Sequence, residues 1–457
     1  MGHRARHGQA ERRVAAGAVA LALVAGACAS GGADVAFDQR AAVLEGSAPA
    51  AIDDPATAEL QAGGLIGGRA TEVGGARVTA GDAASTATVP GRKGVLKIGT
   101  VLPLTGGQRE FGEPVLRVTQ AFVDEVNATG GLAGYELKLI AYDACLTCQD
   151  AALAAVKRLV EQDGVFALVN TYVMVIAFIP VIPYIDAKRV PLIQGGSEEM
   201  TSDSLSPVTF ATAPPGLFYG RFIPTIVKDH MKVRRVGITY LNVPTEAEAI
   251  PKLKEELAKD GIEVVAEEPI EAAEEAVTSM DSAVTRMRLA GAEGVVATNP
   301  VLLATGRPAA DRQGWHAPWF GPAAWSKLLE DACGVTCDDV VFTDTAGLSY
   351  TDRATPQMRQ FHEVLDRRYA EGARTGHELA AWVAMQLFSE VVARSGADAE
   401  RFIAEMEGVR NLDLGTTSPL TFSPDRHMGG SQTVILKLKG GRYVPASGPV
   451  NYGYSSP

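Results

Sequence analysis

Several signatures of enzyme chemistry are missing from this sequence. It contains no Gly-x-Gly-x-x-Gly, no Gly-x-x-x-x-Gly-Lys-Ser/Thr and no Gly-x-Ser-x-Gly. Those absences argue in turn against dinucleotide-dependent redox chemistry, P-loop nucleotide hydrolysis and α/β-hydrolase chemistry. The His-x-x-x-His pair, His3 with His7, lies in an N-terminal stretch expected to be removed, so it makes no metal site of the mature chain. No stripe of basic residues is present, and the net charge of −12 comes from interspersed acids and bases, which speaks against a nucleic-acid partner. With no nucleophile, base or metal set assembled, the chain is expected not to be an enzyme and to need no cofactor.

A long apolar run is lacking too. Residues 14–27 are apolar and small, but at ~1.5 Å per residue they reach only roughly 21 Å, short of a ~30 Å hydrocarbon core. Preceded by Arg4, Arg6, Arg12 and Arg13, the run reads as a signal peptide over 1–27. It ends in Val24-Ala25-Gly26-Ala27-Cys28, which resembles a bacterial lipobox, and that resemblance implies lipidation of Cys28 after cleavage and anchoring outside the cytoplasm. Residues 28–93 then hold one aromatic, Phe37, and show no sustained periodicity. Such a segment buries too little apolar surface to offset the entropy of ordering, and it reads as a flexible tether.

What is there begins at Val95. Val95–Gly112 reads as a buried strand, a polar Gly-rich turn and a helix entered at Pro114. Ligands of open α/β sheets bind outside the carboxyl ends of the strands, so this loop is the first place to look for one. Val115, Val118, Phe122 and Val126 lay an apolar stripe on the sheet, and Asn127–Gly134 turns the chain. Strands near 136–143, 165–170 and 190–194 follow, with helices between them. A second series after Pro214-Pro215 has strands near 236–240, 262–267, 294–298, 318–320 and 340–343. The pattern then changes to helices near 356–371, 378–394 and 400–407, and Leu420–Phe422 with Thr433–Leu438 reads as a hairpin around Asp425–Gly430. Alternating strands and helices give an α/β fold with parallel, doubly wound sheets. Two such series followed by shared helices imply two lobes joined by several crossings.

Three pieces resemble the type I periplasmic solute-binding proteins of the branched-chain amino-acid (Leu/Ile/Val) ABC transporter group, over roughly residues 94–457: the opening segment, the Asn-x-x-Gly-Gly-x-x-Gly turn at 127–134, and Trp319-Phe320-Gly321-Pro322. The Leu420–Tyr443 segment also looks like the terminal segment of that group. The resemblance implies two Rossmann-like lobes linked by a three-crossing hinge near Thr212–Pro215, Thr343–Gly347 and Asp413–Thr416. Lobe 1 would hold 94–213 plus 347–413, and lobe 2 would hold 214–346 plus 414–457. It further implies a monomeric receptor, tethered to the membrane as a lipoprotein, that captures a small solute by hinge closure and delivers it to ABC permease subunits. A sensory or regulatory module of the same fold is the alternative.

Candidate ligand contacts are Thr105, Gln108 and Phe111 in the first loop, Asn170, Thr171 and Tyr172 after the third strand, and Gly196, Ser197 and Glu198 after the fourth. Tyr219 and Trp325 would face the cleft from the second lobe. Amino-acid binders of the group commonly carry an acid after the Gly-Pro turn to meet the ligand's ammonium group, whereas here Gly321-Pro322 is followed by Ala323-Ala324-Trp325. Either Glu198 or another acid substitutes, or the ligand is an amide, organic acid or less polar solute rather than a standard amino acid. Of the five cysteines, Cys145 with Cys148 and Cys333 with Cys337 form close pairs, and local disulfides are expected in an oxidising compartment. A four-cysteine zinc site and a redox pair are the other readings of those four residues.

Overall fold

Residues 71–73, 76–78, 93–106, 109–145, 148–171, 180–195, 206–212, 222–242, 244–271, 279–322, 340–344, 348–370, 375–439 and 442–451 are described by a computed structural model of the chain. Two short antiparallel strands come first, β1 (Thr71–Val73) and β2 (Ala76–Val78). They fall inside the 28–93 segment read as a flexible tether.

β3 (Gly94–Leu102) is buried without interruption from Ile98 to Leu102, as a parallel strand covered on both faces should be. The helix after it, α1 (Arg109–Ala128), starts five residues before the expected entry at Pro114. Proline lacks the N–H that would bond back one turn, which removes one hydrogen bond without stopping the helix so near its start. Arg109 pairs with Glu113 across that turn at 2.9 Å. The turn after α1 shows why its sequence is so specific. Asn127 exchanges two 2.9 Å hydrogen bonds with the backbone of Leu137, imitating a neighbouring strand. Gly131 combines φ +90° with a backbone approach that would put a Cβ 2.2 Å from the Tyr135 carbonyl oxygen.

The chain continues through β4 (Tyr135–Asp143), α2 (Gln149–Arg158) with a π-helical last turn (Leu159–Asp163), β5 (Ala167–Val169), α3 (Val181–Lys188), β6 (Leu192–Gln194) and β7 (Thr209–Ala211). The five strands form one all-parallel sheet ordered β4-β3-β5-β6-β7. β7 was not anticipated from the sequence, since three residues carry no detectable periodicity.

The second series runs α4 (Phe222–Thr225), β8 (Arg235–Leu241), α5 (Pro244–Lys259), β9 (Glu263–Ile270), α6 (Asp281–Leu289), β10 (Gly294–Ala297), α7 (Pro300–Arg312), β11 (Trp319–Pro322) and β12 (Val341–Asp344). Helices α8 (Pro356–Arg368), α9 (Gly376–Ser395) and α10 (Ala399–Glu407) come next, then β13 (Gln432–Lys439), β14 (Arg442–Pro445) and β15 (Val450–Asn451). The second sheet is ordered β14-β13-β12-β11-β10-β8-β9, parallel from β9 to β12 and antiparallel at β13 and β14.

The terminal hairpin is therefore β13 with β14, not Leu420–Phe422 with Thr433–Leu438. Leu420 bridges Leu412, and the Phe422 N–H donates to the Val409 carbonyl. Pro419 and Pro424 flank this stretch and supply no N–H to a ladder, which keeps it from lengthening into a strand.

α8 to α10 return to the first sheet. α9 is buried on nearly every side and lies against α1, α10 and β6. An all-round apolar helix has no solvent face to present and belongs in a core. Trp382 at its centre meets Phe122 of α1 edge-on at 4.9 Å and Phe361 of α8 at 5.6 Å between ring centroids.

Candidate functional site

The carboxyl edge of the first sheet carries the described candidate contacts. After β3, Asp143 at the end of β4 accepts from the Leu104 N–H at 2.6 Å and from the Thr105 hydroxyl, so a carboxylate pins the loop. Thr105 itself is exposed, and Phe111 falls in the first turn of α1. Beyond Asp143, Cys145 and Cys148 form the expected local disulfide, so neither sulfur is a thiolate for zinc. Among the described residues no group of His, Cys, Asp and Glu has the arrangement of a metal site.

Asn170 sits just past β5 in the left-handed conformation, φ +47°, and is 4% exposed. Its Nδ2 donates to Thr119 Oγ1 of α1 and to the Ala381 carbonyl of α9, both at 3.0 Å. Its own carbonyl accepts from Thr100 of β3 at 3.1 Å. The amide nitrogen thus fastens the strand end to two helices, while Oδ1 has no partner. Next to it, Thr171 is 1% exposed with an unpartnered Oγ1. Gln194 closes β6, the neighbouring strand, and its buried Nε2 is unpartnered as well. The sequence reading missed Gln194, because one polar residue ending a short apolar strand looks like an ordinary boundary. An unsatisfied buried polar group costs about 1–3 kcal/mol.

Gly195 has a different task from the one expected of small residues here. A Cβ on it would come 2.3 Å from the Ala380 backbone, so its size admits α9 rather than a ligand.

The second sheet presents a buried acid at the same edge. Glu246, in the first turn of α5, accepts through Oε2 from the Leu241 N–H at 2.8 Å and from Thr298 Oγ1 at 2.7 Å. Asn299 adds a side-chain hydrogen bond. Burial raises its pKa to about 7, against the opposing pull of those three donors. No signal separates this residue in sequence from an ordinary acid at a helix start.

Between the sheets, Ala211 of β7 bridges Met428 in parallel. The His427 ring stacks on Phe210 at 4.2 Å, and its Nδ1–H donates to the Ser206 and Thr209 carbonyls at 2.9 and 3.0 Å. The chain thus stays with the first sheet as far as Met428 and joins the second at Gln432. This moves the third crossing beyond the expected Asp413–Thr416, because Phe422 buries its ring against Phe210. Cys28, Gln108, Tyr172, Gly196, Ser197, Glu198, Tyr219, Trp325, Cys333 and Cys337 lie outside the described residues.

Similar proteins agree with this architecture. Leu/Ile/Val-binding protein homolog 8 of Brucella abortus is 26% identical over 341 residues, covering 70% of this chain and 81% of the relative. The branched-chain amino acid transporter substrate binding protein LivJ from Streptococcus pneumoniae, solved with isoleucine, superposes with a TM-score of 0.67 at 19% identity, over 78% of this chain and 99% of that one. An ABC-transporter solute binding protein from Rhodopseudomonas palustris, solved with 3,4-dihydroxy benzoic acid, gives 0.65 at 17%, over 79% and 98%. At such identities the solved structures establish the fold: α/β, with the two lobes of a type I periplasmic binding protein. A family model described as periplasmic binding protein matches residues 95–442. Two strand-and-helix series, a shared helical layer and a family model over three quarters of the sequence lead to one assignment: the chain belongs to the periplasmic binding protein family.

Proposed function

We propose that this protein is the extracytoplasmic solute receptor of an ABC importer, capturing a small polar or amphipathic solute, an amino acid, amide or organic acid, between two closing lobes. Lobe 1 comprises 94–213 with the helices that follow 347, and lobe 2 comprises 214–346 with the terminal strands. The observation that carries the reading is the row of unpartnered polar atoms, Asn170 Oδ1, Thr171 Oγ1 and Gln194 Nε2, at adjacent strand ends of a solute-binding fold. A ligand touching both lobes stabilises the closed form by its differential contacts, and the closed form docks on the permease subunits. Isoleucine in one structural relative and dihydroxybenzoic acid in another support a small solute with an acidic group as the class of ligand.

The N-terminal reading completes the picture. The signal peptide is removed, Cys28 carries lipid, and the tether holds a monomeric receptor at the outer face of the membrane. Among the described residues no helix is long and apolar enough to cross a membrane.

Mass spectrometry of solute co-purified with the full chain, followed by a thermal-shift screen of amino acids, amides and carboxylates, tests the reading. A ligand at 100 times its dissociation constant stabilises the fold by about 2.7 kcal/mol, a readily measured shift. If nothing co-purifies and no solute shifts the transition, the receptor reading fails.

A further inference from the structure

We propose that His427 is a positioning residue of the hinge: its side chain ties the roots of the first and third crossings together, and so confines the closing rotation to the few residues beyond that tie. This device needs only the two-lobed fold and stands apart from which solute is bound.

Both crossings depart from one spot. β7 ends at Ala211, and Phe222 of α4 already belongs to the second core. The third crossing passes from Met428 to β13, which opens at Gln432. At their roots the two segments run side by side: the Ala211 N–H donates to the His427 carbonyl and the Gly429 N–H to the Ala211 carbonyl, each at 2.9 Å. Ala211 and Met428 also make an apolar contact of their own, apart from the larger cores. A pair of strands this short is marginal by itself.

The His427 side chain supplies what the backbone lacks. Nδ1 lies 2.9 Å from the Ser206 carbonyl and 3.0 Å from the Thr209 carbonyl, groups 221 and 218 positions away in sequence. Both partners are acceptors, so Nδ1 carries the proton. The ring face stacks on Phe210 at 4.2 Å, and Phe210 meets Phe422 edge-on at 5.9 Å. Nε2 has no hydrogen bond, with Glu407 Oε1 of α10 at 3.5 Å. The hydrogen bonding of this buried ring therefore goes to the segment that leads into the first crossing.

Beyond the tie, the third crossing has little left to move. Gly429 is held from both sides, its N–H on the Ala211 carbonyl and its own carbonyl on the Thr421 N–H at 3.0 Å. A Cβ there would lie 2.2 Å from the Phe422 ring. Gln432 is already paired with Asn451 in the second sheet. Gly430 and Ser431 remain to absorb the rotation, and hinges are commonly a few such residues. Without the His427 bonds the two roots are joined by backbone alone and slide past each other, which adds open states to the ensemble.

The test reads the lobes directly, with no solute added. Spin labels at Val95→Cys in β3 and Leu289→Cys in α6, both exposed, are placed in the full chain carrying Cys28→Ser, and pulsed electron-spin resonance measures their separation. His427→Phe keeps a stacked ring and removes the donor, and it is expected to widen the distance distribution about twofold. His427→Asn puts an amide N–H where Nδ1 lies and keeps the original width, whereas His427→Gln sends its donor toward Glu407 and widens it. Hydrogen exchange at Ala211 and Gly429 rises about tenfold in the Phe and Gln variants while β3 and β4 exchange as before, a split that a general loss of stability does not produce. Where His427→Phe fails to fold, the Asn and Gln variants decide alone. An unchanged distribution in His427→Gln, widening in His427→Asn equal to that in His427→Gln, or exchange that rises equally in β3 and β4 overturns the proposal and leaves the receptor reading untouched.

Discussion

The carboxyl edges of the two sheets are built on opposite principles. At the first, Asn170, Thr171 and Gln194 bury neutral polar atoms that lack partners. At the second, Glu246 has its hydrogen bonds but, among the described residues, no counter-charge. One edge lacks geometry-specific partners and the other lacks charge. A ligand that satisfies both has to touch both lobes, and this is the condition under which binding favours closure.

The largest test of the comparison removes the support of the first edge. Trp382→Ala opens a cavity between α1, α8 and α9 and is expected to lower stability by about 3–5 kcal/mol in denaturant unfolding. It also loosens the Ala381 carbonyl that holds Asn170, so ligand affinity falls with it.

Next comes the pH response of the second edge. The folded-state pKa of Glu246, about 7, lies above its ordinary value of 4.5, so the folded chain holds the proton more tightly than the unfolded chain does. Its contribution is fully present below about pH 4.5, declines as pH rises, and is lost above about pH 7. Roughly 3 kcal/mol is at stake over that window. Urea midpoints measured from pH 4.5 to 8 check the slope, and Glu246→Gln is expected to abolish this component of it.

A smaller effect belongs to the Cys145–Cys148 bridge beside the Asp143 clamp. A four-residue loop restrains the unfolded chain little, so Cys145→Ser costs about 2 kcal/mol or less. A larger loss of ligand affinity than of stability would place the bridge in service of the Thr105 loop. The smallest stability change is expected from Thr171→Val. Replacing an unpartnered buried hydroxyl with a methyl removes the cost of burying it and is expected to raise stability by about 1 kcal/mol, yet to lower ligand affinity roughly tenfold. Equal affinity would remove Thr171 from the site.

Much of this molecule was readable before its structure. The 3.6-residue stripe of α1, the uninterrupted apolar run of β3 and the Asn127–Gly134 turn each state a local physical demand. The turn is the clearest case, since Gly131 needs both a positive φ and a bare Cα. Less was readable where pairing is remote. β7 is too short to show a period, and Leu420–Phe422 resembles a strand until its flanking prolines and its burial against Phe210 are taken together. Gln194 and Glu246 stayed hidden because their types are commonplace where they stand. What distinguishes them is the absence of a partner, and absence has no sequence pattern.

By itself, then, the chain determines where strands and helices alternate and which turn needs glycine. Those demands are satisfied within a few residues. Only the tertiary structure decides that α9 returns from 211 residues away to take the Asn170 amide, that Gly195 makes room for that helix, and that Glu246 stands buried with no cation beside it among the described residues. Each of these depends on distant segments sharing a small dry volume, where the worth of a polar atom is set by its neighbours.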